Sequence, residues 1–345
     1  MSGRIYVRAP DALDELILAL PALRRLSERE AGEGGEGGGA GDGGSRVDIW
    51  CPLSLTPVLE MAGLPAEIIP LPRQPAWKTA RWLRGSGYSG AYLFSRAPAA
   101  ALAVRLAGIP RRGRAAAYRA GKGEHRSVEY LRIVDPEWSE GRPAPARLEV
   151  PIRAREDFRR LVTGRFERPA VAIVPGSRAP ARRWPEGRFT ALAGLLSGDV
   201  GTVVAFGGPG DEVLAARVAA GGGTRGVDLG GRTSPTVFAA GLSECDVAVA
   251  NDNGALQLAA AVGAPGVGIF GPRSPGRFGP PVAGIQALWH SMLPCAPCGR
   301  EGCRRFGRGS ILSEARDECT QLIAVEAVAR AVREQLEEAR ATSDV

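Results

Sequence analysis

The residues best suited to chemistry run from Asn251 to Gln257 (Asn251-Asp252-Asn253-Gly254-Ala255-Leu256-Gln257). They sit between the apolar Val247-Ala248-Val249-Ala250 and an alanine-rich stretch that continues to Gly271-Pro272. Small polar residues between a strand and a helix put a helix N-terminus at the strand's carboxyl end. Free backbone N–H groups and the positive end of the helix dipole then face whatever binds there. Diphosphates suit such a position. An ordinary Asp/Asn N-cap accounts for the same residues, so the stronger reading depends on companions.

Two companions lie upstream. Pro175-Gly176-Ser177-Arg178 ends an apolar run and is followed by Arg182-Arg183-Trp184-Pro185. A glycine turn lets backbone approach a ligand, and arginine offers fork-shaped donors to phosphate oxygens; a solvated surface loop is the plainer alternative. Phe206-Gly207-Gly208-Pro209-Gly210-Asp211 repeats the layout one unit later. Three strand-to-helix turns built this way point to a nucleotide-sugar pocket. Near the amino terminus, Asp14 and Glu15 follow Arg8 and the loop Ala9 to Leu13. Adjacent carboxylates there could supply a general base for an acceptor hydroxyl, or simply favour the dipole of a helix's first turn. Finally, Cys295, Cys298, Cys303 and Cys319 cluster near the end of the chain. In a reducing compartment four such thiols read as metal ligands rather than disulfides. Zinc is the default, and iron takes the same ligand set. Cys51 and Cys245 read as buried singletons.

These residues need positioning, and the chain alternates strand-like and helix-like segments throughout. Strands are expected at Arg4–Arg8, Val47–Trp50, Val171–Val174, Thr202–Phe206, Val227–Leu229 and Val247–Ala250, with shorter αβ units at Leu55–Met61, Glu67–Ile69, Trp77–Gly85, Ala91–Phe94 and Ala99–Ala107. Helices are expected at Asp14–Glu30, His125–Val134, Pro185–Leu196, Glu212–Ala220, Ser234–Leu242 and Ala324–Glu338. Alternation of this kind gives an α/β fold with parallel, doubly wound sheets. The 345 residues exceed one ordinary core. The proline-rich text from Pro136 to Pro151 marks a linker between domains at 1–150 and 151–345, and the glycine-rich stretch 31–45 reads as a surface insertion.

Arg96 and Arg105 interrupt the best apolar run, so no membrane span is expected. The amino terminus enters a strand without an apolar signal region, which points to a cytoplasmic protein. The net charge is +7, and Lys78 and Lys122 are the only lysines. A basic surplus suits phosphorylated substrates or peripheral contact with an anionic membrane. Nucleic acid is not expected, because no dense basic run is interleaved with aromatics.

Taken in order, these pieces resemble glycosyltransferase family 9, the ADP-heptose:lipopolysaccharide heptosyltransferases. The family's first turn reads as a basic residue, a short loop, then Gly-Asp, three apolar residues, Ala/Thr-Leu-Pro-Ala-Leu; Arg8 and the run Glu15 to Leu23 match it. Ala91–Ser95 with Ala107–Arg112 looks like the family's middle segment. Pro175–Ser177 with Arg182–Pro185 resembles its donor-side loop. Leu229–Ser234 and Asp252–Pro272 are similar to its most recognisable block, and the cysteine pattern recurs there too.

The resemblance implies a GT-B architecture of two Rossmann-like domains facing a central cleft. The acceptor would be held by the first domain and the nucleotide sugar by the second. It implies inverting transfer of heptose, or a related sugar, from an ADP-sugar to a lipopolysaccharide core or other glycan or lipid-linked glycan, at the inner face of the inner membrane. No cofactor is implied for catalysis. Gly176, Ser177, Arg178, Arg182, Gly207, Asp252, Asn253, Gly254 and Gln257 would line the donor site. The family's Gly-Asp is Asp14-Glu15 here, and its Asp-Ser-Gly-x-x-His ends in Gln257. Glu15 aligns with the family's acid when counted back from Pro21, and Asp14 when counted forward from Arg8. An insertion is better tolerated in the loop than in the helix, which favours Glu15 as base. A degenerate sugar-nucleotide-binding protein and a GT-B epimerase are the competing readings.

Overall fold

The computed structural model describes residues 3–32, 47–114, 123–293, 295–299 and 318–343. The chain forms two compact units, Met1–Glu149 and Val150–Val345. In the first, β1 (Ile5–Arg8), α1 (Leu13–Gly32), β2 (Val47–Pro52), α2 (Thr56–Met61), β3 (Glu67–Leu71), α3 (Ala76–Leu83), β4 (Gly90–Leu93), α4 (Pro98–Ala107), β5 (Arg111–Arg114) and α5 (Arg126–Val134) follow in order. All strand pairs are parallel, in the order β3-β2-β1-β4-β5. Every residue of β1 and β4 is buried, as expected of parallel strands covered on both faces. Tyr6, Trp50, Leu83, Leu93 and Val104 form a core on the side of the sheet that α3 and α4 cover. Elsewhere α1 packs along α5.

The second unit opens with α6 (Ile152–Leu161), then β6 (Ala170–Val174), α7 (Glu186–Leu196), β7 (Thr202–Gly207), α8 (Glu212–Gly221), β8 (Gly226–Gly230), α9 (Pro235–Glu244), β9 (Val247–Asn251), α10 (Gly254–Ala261), β10 (Gly266–Ile269), α11 (Pro275–Phe278), β11 (Ile285–Leu288), α12 (Glu318–Gln321) and α13 (Val325–Ser343). Its strands, again parallel, run β11-β10-β9-β6-β7-β8. That is the doubly wound order, reversing between β6 and β9; the first unit reverses between β1 and β4. Ligands of such sheets bind outside the strand carboxyl ends at the reversal, so the order alone singles out the turns after β1, β4, β6 and β9.

Several elements differ from expectation. Helix α6 and strands β5, β10 and β11 were not expected as separate elements. Ala31 and Gly32 continue α1, while 33–46 lie outside the described residues. In the second core, Trp184 sits edge-on to Phe189 with ring centroids 4.9 Å apart. Its indole N–H donates to the Ile323 carbonyl at 2.9 Å, tying the residues just before α13 to the approach to α7.

Candidate active site

At the second unit's reversal, Asn251 is fully buried at the end of β9. Its Nδ2 donates to the Pro175 carbonyl at 2.7 Å, and its Oδ1 accepts from the Trp184 N–H at 2.9 Å. One side chain therefore fixes both ends of the loop leaving β6. Asn253 Nδ2 donates to the Gly176 carbonyl at 2.7 Å, while its Oδ1 accepts from the N–H groups of Ala255 and Leu256. These contacts correct the sequence reading of α10: two of its first N–H groups are taken by its own cap and are not presented to a ligand.

The cationic groups here are side chains. Asp252 is 1% exposed, and both its carboxylate oxygens accept from Arg273, from Nε at 2.6 Å and Nη2 at 2.5 Å. The Arg273 guanidinium also lies 4.2 Å from the Phe278 ring centroid. The Asp252 carbonyl accepts from Arg182 Nη1 at 3.1 Å. Two arginines thus converge on one residue, and the Asp252 carboxylate acts by holding Arg273. Gln257, also buried, donates from Nε2 to the Phe278 carbonyl at 2.6 Å. With Asp252 it anchors the segment from Arg273 to Phe278 to the start of α10.

The remaining donor-side residues separate by position. Ser177 is buried, Arg178 is exposed, and Arg183 Nε donates to the Ser177 carbonyl at 2.7 Å. The glycines serve packing: a Cβ on Gly176 would fall 2.2 Å from Asp211 Oδ2, and one on Gly207 2.9 Å from Asp211 Cβ. Asp211 fills the space their missing side chains leave, so the loops after β6 and β7 close on each other. Gly254 is the first residue of α10.

In the first unit, the buried Arg8 donates to the Ala9 and Trp50 carbonyls at 2.9 and 3.2 Å and pairs with Asp11. Asp11 also accepts from the Ser95 hydroxyl beyond β4. Asp14 is buried. Glu15, a quarter exposed, is approached from α5: its Oε2 accepts from Arg126 Nε at 2.8 Å and from the Tyr130 hydroxyl. Arg126 in turn pairs with buried Glu129, which Arg96 reaches at 3.1 Å. Burial first, and then the Glu15 charge, push the Tyr130 phenol far above its usual range, so it remains a donor to Glu15. Among the described residues Oε1 of Glu15 has no hydrogen-bond partner. A carboxylate oriented through one oxygen and open at the other has the geometry of a positioned base.

Sequence reasoning missed Arg273, Asp11, Arg126 and Tyr130. Arg126, Glu129 and Tyr130 share one face of α5 at i, i+3 and i+4, which is a readable signal; the pairing of Asp252 with Arg273 across 21 residues is not.

Of the cysteines, Cys51 and Cys245 are buried, Cys295 and Cys298 exposed and Cys319 intermediate, all as free thiols; burial pushes the Cys245 thiol well up. Cys303 lies outside the described residues. Among the described residues no three His, Cys, Asp or Glu side chains group as metal ligands. The Gly299 N–H, next to Cys298, donates to the Pro272 carbonyl at 2.8 Å. Cys319 Sγ lies 3.3 Å from where a Cβ on Gly271 would sit.

Removing Arg273 leaves a buried, unpaired carboxylate. Arg273→Met is expected to lower unfolding stability by about 3–5 kcal/mol, and adding Asp252→Asn should recover part of that loss. Chemical denaturation of both variants checks this; an uncoupled, additive double variant contradicts the pairing.

Residues 144–306 match the model of glycosyltransferase family 9 (heptosyltransferase). Lipooligosaccharide heptosyltransferase 2 of Haemophilus ducreyi is 28% identical over 138 residues, so the match spans 39% of that relative and 38% of this chain. Lipopolysaccharide heptosyltransferase 2 of Escherichia coli K12 is 26% identical over 273 residues, 69% of this chain and 77% of the relative. Among solved structures, E. coli ADP-heptose LPS heptosyltransferase II aligns with a TM-score of 0.74 at 20% identity, covering 97% of this chain and 99% of that one. The iron-containing dodecameric glycosyltransferase TibC of enterotoxigenic E. coli aligns with a TM-score of 0.61 at 15% identity, over 97% of this chain and 77% of that one. These neighbours share the α/β fold with paired Rossmann-like domains that defines the GT-B class. The match to the family model covers residues 144–306, and the fold aligns with that of a solved heptosyltransferase.

Proposed function

We propose that the chain is an inverting glycosyltransferase that moves a heptose, or a related sugar, from an ADP-sugar to a lipopolysaccharide core or similar glycan. The observation that carries this is the convergence of Arg182 and Arg273 on Asp252 at the second unit's strand reversal. Two guanidinium groups beside a strand-to-helix turn suit a diphosphate whose terminal oxygen gains charge as the sugar leaves. The relatives' names, heptosyltransferase and ADP-heptose, support the same donor class.

The donor is assigned to the second unit, at Gly176, Ser177, Arg178, Arg182, Gly207, Asp252, Asn253, Gly254 and Gln257, and the acceptor to the first. Glu15 is the general base: Oε1 takes the acceptor hydroxyl's proton as the oxygen attacks the donor's anomeric carbon. The bond to the diphosphate breaks, and ADP leaves. Arg126 and Tyr130 fix the Glu15 carboxylate, and Asp14 is the alternative base. A binding protein without turnover is the competing reading. It is favoured by the Arg126 ion pair, which already occupies one oxygen of Glu15, and by the Gln257 amide being spent on Phe278.

Transfer from ADP-heptose, followed by ADP release, separates the two. Glu15→Gln should cut turnover by ~10²–10⁴-fold with donor affinity nearly intact. Arg182→Ala should weaken ADP binding by about 1.5–3 kcal/mol. Tight donor binding with no turnover by the wild-type chain would establish the binding-protein reading. Loss of activity in Asp14→Asn but not Glu15→Gln would move the base by one residue.

Cys295, Cys298, Cys303 and Cys319 are assigned to one structural zinc or iron ion. Four thiolates suit either ion, and Gly299 and Cys319 approach the consecutive residues Pro272 and Gly271, while Cys303 lies outside the described residues. Elemental analysis should find one equivalent of metal, and its removal should lower thermal stability before it changes donor affinity. Metal-free purified protein with free or disulfide-bonded thiols would refute the assignment.

A further inference from the structure

Between Glu67 and Glu124 the sequence has no carboxylate. Residues 68–123 carry nine arginines and both lysines of the chain, more positive charge than the whole protein's net +7. Part of this charge falls on α3 and α4, which pack side by side on one face of the first sheet. Helix α3 buries Thr79, Ala80 and Leu83, and α4 buries Ala100, Ala103 and Val104. Their outward stripes are not polar in the usual way. Trp77 is 57% exposed, Trp82 51%, Leu102 48% and Leu106 44%.

Lys78, Arg81, Arg84 and Arg105 are exposed among these apolar groups. The Lys78 ammonium lies 5.5 Å from the Trp77 ring centroid, and Arg84 reaches across to the Leu106 carbonyl at 2.9 Å. Among the described residues none of the four cations pairs with a carboxylate. Exposed large apolar side chains grouped on one face mark an interaction site. Tryptophans with leucines, rimmed by cations, match the interfacial layer of a bilayer, where indoles sit at headgroup depth and cations meet lipid phosphates. A nucleic acid would use the cations and indoles but has no place for Leu102 and Leu106. A protein partner has no counterpart in the acid-free charge pattern that an anionic lipid sheet does not answer more simply.

We infer that the α3–α4 face docks the protein on an anionic lipid bilayer, with Trp77, Trp82, Leu102 and Leu106 entering the interface and Lys78, Arg81, Arg84 and Arg105 meeting headgroup phosphates. The inference does not depend on the proposed transferase activity. The test is co-sedimentation of the full chain with vesicles of phosphatidylcholine alone or mixed with phosphatidylglycerol. Binding is expected only to the anionic vesicles, and it should weaken steeply with salt.

Lys78→Glu with Arg81→Glu touches only exposed side chains; losing each cation should weaken partitioning about fivefold, and reversing the two charges should abolish it. Trp77→Ser should weaken binding without changing the far-ultraviolet spectrum, and indole fluorescence should shift to the blue on vesicle binding in the wild type alone. Equal binding to both vesicle types, or binding unchanged by both variants, overturns the inference. So does analytical ultracentrifugation showing that the variants break a dimer while vesicle binding persists.

Discussion

The second unit's carboxyl edge depends on one buried amide. Asn251 stands where the strand order reverses, and its side chain bonds to Pro175 on one side and Trp184 on the other. A loop leaving a parallel strand has backbone groups with no ladder partner, and buried polar groups without partners are costly. By satisfying one carbonyl and one N–H of the loop from β6, Asn251 sets its span. That span in turn puts Arg182 on the Asp252 carbonyl. Trp184, held at its own N–H by Asn251, carries the constraint inward to Phe189 and, through its indole, to the residues before α13. The polar turn and the hydrophobic core are therefore one arrangement.

The first unit solves the same topological problem with charge. Its reversal lies between β1 and β4, and there Arg8, Asp11 and Ser95 join the two strand ends. Beside it the alternating run Arg96, Glu129, Arg126, Glu15 balances cations against carboxylates. Such a network holds α5 to α1 only while every member is present, because a buried ion left alone is strongly unfavourable. The arrangement gives Glu15 a fixed direction. The second unit, by contrast, uses its buried carboxylate, Asp252, to hold a cation.

Much of this was legible in the sequence, for physical reasons. Parallel strands buried on both faces read as apolar runs, and Val171–Val174 and Val247–Ala250 stand out as such. Helix α6 did not, because only Ala154 and Phe158 are buried in it and the rest is mostly charged. Strand β5 is Arg-Arg-Gly-Arg at a sheet edge, where cations discourage pairing with another chain but hide the strand from any apolar pattern. At the site, the polar turn after β9 was visible, whereas its internal bonding was not. The side chain of Asn253 occupies the very N–H groups that the sequence offers to a ligand. The glycines at 176 and 207, read as room for a ligand, make room for Asp211. Arg273 was hidden because sequence spacing cannot pair it with Asp252.

The proposed donor diphosphate site is the reversal between β6 and β9. Amide hydrogen exchange on the full chain, with and without ADP-heptose, tests it most directly. Protection is expected in the Gly176–Arg183 loop, in Asp252–Gln257 and around Arg273, with β8 and the outer face of α8 unchanged. Binding that leaves those three segments unprotected, or protects only the first unit, would contradict the claim.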